Sequence, residues 1–351
     1  MKLPLTIVLK SVCASIFLFA KTTQSEGSNV GIFPGGAANS YASLYLGEEF
    51  SRRANVPFYD LFDQAWALSG GTVPTILLMK KGKWPRFASH MFREAIKDAF
   101  PDLLDLLDLT DSDGWRRERF EAVLNKYFSD MFFGENQNNR IVFIASRNGA
   151  PVFFCDSDFK LPKEELRVLS GTSFIDGIMA SSTISLRANL GMGKLQASLF
   201  KPRQVALAPF MEKKTVVDGG HCDAKRDGKF ILDGSTPTPL VIEYLKSIPG
   251  QHNVVVFGNG GPFNEEFRKS INLNRNGTAE IIHRDGRINI FIISIRVNNH
   301  TLNLLNKSEN YMLYLQKRVE KALMGQSRAV FDMALRAVLK NKSLTMRSAK
   351  L

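Results

Sequence analysis

The stretch "FDQAWALSGGTVPTILL", residues 62–78, runs from apolar residues into a serine set among small neighbours, then into a second apolar run. Ser69 stands in Ala67-Leu68-Ser69-Gly70-Gly71. One reading makes it an ordinary turn serine. The other makes it a nucleophile on a strand-to-helix elbow. An elbow strains the backbone at its serine, so the neighbours must be small, and the helix N-terminus that follows favours developing negative charge. Pro74 falls in about the first turn of that helix, where its missing N–H is tolerated.

The segments around the elbow alternate between strand and helix. "NVGIF" reads as a strand, and "SYASLYLGEEFSRRA" as a helix with Tyr41, Leu44, Tyr45 and Phe50 on one face. Downstream, "RIVFIAS" and "PVFFC" read as strands, as do "GKFILDG", "NVVVFGN", "AEIIHR" and "INIFIISIRV". "PLVIEYLKSI" and residues 311–339 carry helical periodicity. Such alternation predicts a mainly parallel sheet covered by helices on both faces. No internal repeat and no long Pro/Gly-rich linker divides the chain. In open α/β sheets ligands meet the carboxyl ends of strands, where glycine turns let the backbone approach. Three turns qualify: "GIFPGGAANSY", the Ser69 turn, and the turn after "GKFILDG" that holds Asp233.

At 351 residues with 44% apolar and 23% charged residues, the chain has an ordinary globular composition with enough apolar residues for a large core. Residues 1–25 have the order of a secretory signal peptide: Lys2 and Lys10, the apolar "SVCASIFLFA", then small polar residues. Ten apolar residues are too few to span a bilayer as a helix. The expectation is an exported protein with this leader removed. Removal takes away Lys2, Lys10 and Lys21 and no acid, lowering the formal charge from +12 to +9. A basic surface attracts anionic partners without naming one. Cys155 and Cys222 either pair in an oxidising compartment or remain buried thiols.

Taken together, the motifs resemble the patatin-like phospholipase family. "PGGAAN" is similar to its glycine-rich oxyanion turn, and "LFDQAWALSGG" to its Gly-x-Ser-x-Gly elbow after a Phe-Asp strand. "ASSTIS", residues 180–185, is similar to its Ala-Ser-Ser-Ala-x-Pro stretch, and "FILDGS" to its Asp-Gly turn. "DGWRRERFEAVLNKYFSD", "RIVFIASRNGAPVFF" and "NVVVFGNGG" resemble the family's intervening helix, hairpin and closing strand, so the likeness covers roughly residues 28–262.

The resemblance implies a fold of α/β class, a three-layer sandwich with a mainly parallel sheet flanked by helices. With the leader read over 1–25, the expected division is a patatin-like catalytic domain over 26–265 and a C-terminal helical extension over 266–351 that completes or packs on the domain. The resemblance also implies a serine–aspartate dyad that hydrolyses phospholipid acyl esters without calcium. Ser69 is then the nucleophile and Asp233 the general base. Gly35, Gly36 and Gly70 supply oxyanion donors, each worth roughly 3–4 kcal/mol. No metal or cofactor is required. The expected partners are phospholipid and, peripherally, a membrane surface; no nucleic acid is expected.

The pattern departs from the family at several positions. Pro34, Ala38 and Asn39 stand where the oxyanion turn has glycine, Arg/Lys and glycine. Ala67 replaces the elbow's first glycine, and Ser185 replaces the proline of the serine-rich stretch. Proline has no N–H, so Pro34 cannot donate to an oxyanion. The alternative function is therefore a catalytically eroded protein that binds lipid. The base also has two candidates, because "TVVDGGHC" puts Asp218 in a literal Asp-Gly-Gly. Asp218 follows only a short apolar run and reads as a hairpin turn, whereas Asp233 ends "KFIL" before a helix.

His221 offers a Ser-His-Asp alternative, but the α/β-hydrolase order of serine, acid, histidine does not fit it, and His283 and His300 lack a glycine-rich loop. His90 sits in a helical pattern. Neither a Cys-x-x-Cys nor a His-Glu-x-x-His spacing occurs. Near the C-terminus, Leu315, Val319, Leu323, Val330 and Leu335 share one side, with Lys317, Arg318, Lys321, Arg328 and Arg336 elsewhere. That pattern fits a helix lying on an anionic membrane or one packed on the sheet. Asn276, Asn299, Asn306 and Asn341 begin Asn-x-Ser/Thr sequons, which matter only in a eukaryotic secretory path.

Overall fold

A computed structural model describes residues 27–36, 39–80, 92, 114–134, 140–147, 150–155, 166–182, 185–190, 193–198, 203–208, 212–218, 225–226, 229–230, 237–258, 265–295, 297 and 308–342. The expected leader, Ala38, His90, His221, Cys222, Asp233, His300 and the sequons at Asn299 and Asn306 lie outside the described residues.

The described chain opens with β1 (Asn29–Phe33), α1 (Ser40–Ala54) and the short α2 (Phe58–Leu61). Next come β2 (Gln64–Leu68), a 3-10 turn over Ser69–Gly71, α3 (Thr72–Met79) and α4 (Gly114–Phe128). The strands β3 (Arg140–Arg147), β4 (Ala150–Phe154) and β5 (Leu166–Val168) precede α5 (Phe174–Ser182). A hairpin of β6 (Ser185–Leu190) and β7 (Gly193–Ser198) leads to β8 (Arg203–Ala208) and β9 (Glu212–Asp218). The short β10 (Lys225–Arg226) and β11 (Lys229–Phe230) form a second hairpin. The chain continues through α6 (Thr238–Lys246), β12 (Gly250–Gly258), α7 (Glu265–Ser270), β13 (Thr278–His283) and β14 (Gly286–Ser294). Two helices, α8 (Glu309–Met324) and α9 (Arg328–Asn341), end it. The helical pattern over 311–339 is thus two helices, broken where Gly325 takes φ −124° and ψ −119°.

The main sheet has ten strands in the order β13-β14-β12-β1-β2-β3-β4-β5-β8-β9. Its five central strands, β14 to β3, run parallel. Both faces of these strands are buried, which explains the near-continuous apolar runs "NVVVFG" and "INIFII". Alternate residues point to opposite sides. Val254, Val256, Ile290 and Ile292 join a core with Leu240, Val241 and Leu245 of α6. Val255, Phe257 and Ile293 join the larger core under α1, α3, α8 and α9. The result is the expected three-layer α/β arrangement with C-terminal helices.

The larger core holds an aromatic cluster. Phe257 stacks on Phe33 with ring centroids 5.1 Å apart, and Phe50 meets Phe331 of α9 edge-on at 5.2 Å. Leu315, Val319, Leu323, Val330 and Leu335 are all buried in it. The apolar stripe of the C-terminal helices therefore faces protein. Cys155 is buried directly after β4.

At the amino ends of the strands, Asn29, Asn253 and Asn289 are register partners on β1, β12 and β14. Asn289 Nδ2 donates to Asn253 Oδ1 at 3.0 Å, and Asn253 Nδ2 to Asn29 Oδ1 at 2.9 Å. The last turn of α9 closes this row: Asn29 Nδ2 donates to Val338 O, Asn253 Nδ2 to Ala337 O, and Asn341 Nδ2 to Gly27 O and Asn29 Oδ1. Lys342 pairs with Asp63 beside it. The row ties the C-terminal helix to the base of the sheet, at the end opposite Ser69.

Beyond β3 the sheet curls. β3 pairs with β4, β4 with β5, β5 with β8 and β8 with β9, and β9 returns to pair with β3. This hydrogen-bonded circuit of five strands packs against α5, which is buried along almost its whole length.

Candidate active site

β2 delivers its buried strand residues to Leu68, which takes φ −137° and ψ 156°. Ser69 then adopts φ +50°. A left-handed conformation is costly for a residue with a Cβ, and it turns the chain sharply out of the sheet. The sequence expectation of a strained serine elbow matches this geometry. Ser69 is 7% exposed, at the edge of the core rather than deep within it.

Several contacts hold the strained residue. Its N–H donates to Ser181 Oγ at 2.8 Å, and Ser181 Oγ donates in turn to Ile144 O at 2.6 Å. Its carbonyl accepts from Thr72 Oγ1 at 2.8 Å and, at 3.4 Å, from Ser182 Oγ. The first three residues of the serine-rich stretch singled out in the sequence, Ala180 to Ser182, are therefore the C-terminal turn of α5, and its two serines clasp the elbow. Thr75 Oγ1 donates to Gly71 O at 2.9 Å, and α3 leaves the turn with its N-terminus toward Ser69.

The glycine turn after β1 packs directly on this serine. A Cβ on Gly35 would lie 2.8 Å from Leu68 Cδ1 and 3.0 Å from Ser69 Cβ. A Cβ on Gly71 would lie 2.3 Å from Phe33 O and 2.7 Å from Pro34 O. Gly71 thus requires glycine, Gly35 has little room for a Cβ unless Leu68 shifts, and through them the β1 turn and the elbow share one site. Gly36 O accepts the N–H of Asn39 at 2.8 Å at the entry to α1. The Asn39 side chain is buried, and its Oδ1 accepts from Tyr311 OH of α8 at 2.5 Å. Burial pushes the Tyr311 hydroxyl up to about 12, with the neighbouring Tyr314 acting in the same direction, so it stays a donor. Asn39 thereby links the glycine turn to α8.

Asp218 ends β9, where a hairpin turn was expected. Thr215, Val216 and Val217 suit a strand, and the charged Glu212-Lys213-Lys214 start obscures it in sequence. Its backbone position is informative. Leu68 of β2 is the register partner of Ile144, and Asp218 is the register partner of the next residue, Ala145. The opposite edge of β3 is taken by β4 over the same residues. β2 and β9 therefore approach head-on along one edge of β3, their last residues within about 3.4 Å, one residue's rise, measured along that strand. Ser69 leaves the sheet at this junction. The described residues thus bring together Ser69, the turn with Gly35 and Gly36, the hydroxyls of Ser181 and Ser182, and the backbone of Asp218. Gly70 follows Ser69 in the same turn. The positioning serines were visible in sequence only as part of the "ASSTIS" likeness.

No protein-family model matches the chain, and no curated protein matches it. Among solved structures, the chain is similar to human GIVD cytosolic phospholipase A2, with 12% identity and a TM-score of 0.45 over 96% of this chain and 63% of that one. It is also similar to the same human enzyme in complex with methyl gamma-linolenyl fluorophosphonate, with 13% identity and a TM-score of 0.45 over 91% of this chain and 60% of that one. The chain spans about three fifths of the length of these proteins.

Proposed function

We propose that the protein is an exported, calcium-independent acyl hydrolase that cleaves phospholipid acyl esters, with Ser69 as nucleophile and Asp218 as general base. The observation that carries this reading is the head-on approach of β2 and β9 along β3, beside a serine at φ +50°. Asp233 is the rival base from the sequence. Asp218 is preferred because its backbone has a register position next to the elbow.

In the proposed reaction, Ser69 Oγ attacks the ester carbonyl carbon while the Asp218 carboxylate takes the hydroxyl proton. The carbonyl electron pair moves to oxygen, where backbone N–H groups of Gly35, Gly36 and Gly70 donate to it. Collapse expels the lysophospholipid alkoxide, which takes the proton from Asp218. Water then hydrolyses the acyl-serine by the same steps. The dyad needs no metal ion or organic cofactor. The substrate makes the protein a peripheral visitor to membranes.

A second reading, a lipid-binding protein with an eroded site, is favoured by Pro34 at the head of the glycine turn and by the commitment of Asn39 to Tyr311. The deciding experiment is fatty-acid release from phosphatidylcholine and phosphatidylglycerol vesicles in EDTA, by wild type, Ser69→Ala, Asp218→Asn and Asp233→Asn. The expected result is release that is lost in Ser69→Ala and Asp218→Asn and kept in Asp233→Asn. Absence of release by wild type, with no fluorophosphonate labelling of Ser69, selects the second reading.

A further inference from the structure

α8 has two chemically distinct sides. Tyr311, Met312, Leu315, Val319, Ala322 and Leu323 are buried on one. At about 100° per residue, Leu313, Met324, Lys317, Lys321 and Tyr314 fall within an arc of about 100° on the other. Leu313, Tyr314 and Met324 are 40%, 39% and 79% exposed, which makes them three of the four exposed large apolar side chains among the described residues. Both lysines are exposed as well. The acids of this helix flank the arc on the Leu313 side, Glu320 about 20° and Glu309 about 40° beyond it, and Glu320 accepts from Tyr45 OH and Gln316 Nε2. Arg318 borders the arc with its guanidinium 6.0 Å from the Tyr314 ring centre.

Exposed apolar side chains interleaved with lysines, and no acid among them, match the chemistry of an anionic lipid interface. Apolar groups enter the headgroup layer and cations meet lipid phosphates. The opposite, buried side of the same helix is tied to the candidate site. Tyr311, in the first turn of α8, bonds Asn39, whose N–H bonds Gly36 beside the elbow. We propose that this outer face of α8 docks on an anionic phospholipid surface, with Leu313, Tyr314 and Met324 entering the headgroup layer and Lys317 and Lys321 meeting phosphates. Docking there holds the protein at the lipid surface. The usefulness of docking rests on the hydrolase reading, whereas the chemistry of the face does not.

The test compares the full chain with Lys317→Gln/Lys321→Gln and Leu313→Gln/Met324→Gln, all at exposed positions and with glutamine retaining helix propensity. Sedimentation with vesicles of phosphatidylcholine alone, and of phosphatidylcholine mixed with phosphatidylglycerol, measures binding. A soluble short-chain ester measures the chemical step away from any surface. The expected result is wild-type binding to the mixed vesicles that weakens with salt and falls at least about tenfold in either double variant. Vesicle-lipid hydrolysis should fall in parallel while soluble-ester hydrolysis stays at the wild-type level. If wild type binds the vesicles through this face but hydrolyses neither substrate, docking stands and the hydrolase reading falls. Wild-type protein that binds neither vesicle, or double variants that bind as well as wild type, overturn the proposal.

Discussion

Ser181 Oγ accepts the backbone N–H of Ser69 at 2.8 Å and donates to Ile144 O at 2.6 Å. One buried hydroxyl thus joins α5 to the end of β2 and to β3. Ser181→Ala leaves a buried donor and a buried acceptor unpaired, at a cost of about 2 kcal/mol. The expected outcome is a lower urea midpoint and reduced ester hydrolysis, with Ser182→Ala, whose bond is 3.4 Å long, showing the smaller effect.

Ser69 carries the strain of φ +50°. Glycine adopts that conformation without a Cβ penalty. Ser69→Gly should therefore raise stability by about 1 kcal/mol while abolishing any hydrolysis that depends on the hydroxyl. Thermal melts of Ser69→Gly and Ser69→Ala check this, because alanine removes the hydroxyl and keeps the strain.

The asparagine row should be a stability element independent of the site. Asn253 is fully buried and uses both ends of its amide within the row, so Asn253→Ala is expected to cost about 3 kcal/mol. Asn289→Ala removes only the outer member and should cost less. Chemical denaturation of both variants measures the difference.

His252 gives stability a pH dependence. Burial holds its imidazole below the ordinary value of 6.5, the nearby His283 pushes the same way, and the bond to Ile248 O opposes them. The donation of Ser28 N–H to Nδ1 fits a neutral ring with its proton on Nε2, directed at Ile248 O. The unfolded chain takes up a proton near pH 6.5 and the folded chain only at lower pH. This contribution is therefore complete above about pH 6.5 and is lost as pH falls through the window down to the folded value. Urea midpoints across that window should fall for wild type and fall less steeply for His252→Gln.

Local pattern made some elements legible. The helix read from "SYASLYLGEEFSRRA" is α1 from Ser40 to Ala54, because its apolar spacing faces the core. The serine elbow was readable because its small neighbours and following helix lie within ten residues. β9 was not, since its charged start suppresses the strand signal and the meaning of Asp218 comes from pairing with Ala145, far away in sequence. The asparagine row escaped for the same reason. Asn341 reads as a sequon, whereas its amide bonds Gly27 O and Asn29 Oδ1, a relation that exists only once the strands are in register. The helical periodicity over 311–339 gave no sign of the break at Gly325, which separates two helices.

The return of β9 onto β3 also bears on how the molecule meets its own copies. A sheet normally ends in two strands whose unpaired amides and carbonyls can recruit another chain. In the main sheet β3 covers the outer side of β9 only at Val217 and Asp218, and among the described residues β13 forms the other edge with no strand beyond it. β13 carries the charged Glu280, joined to Arg287, but also Ile282, which is 80% exposed. Strand addition at β13 is thus one route to self-association, and Ile282→Lys, which puts a cation at its most exposed apolar position, disfavours it.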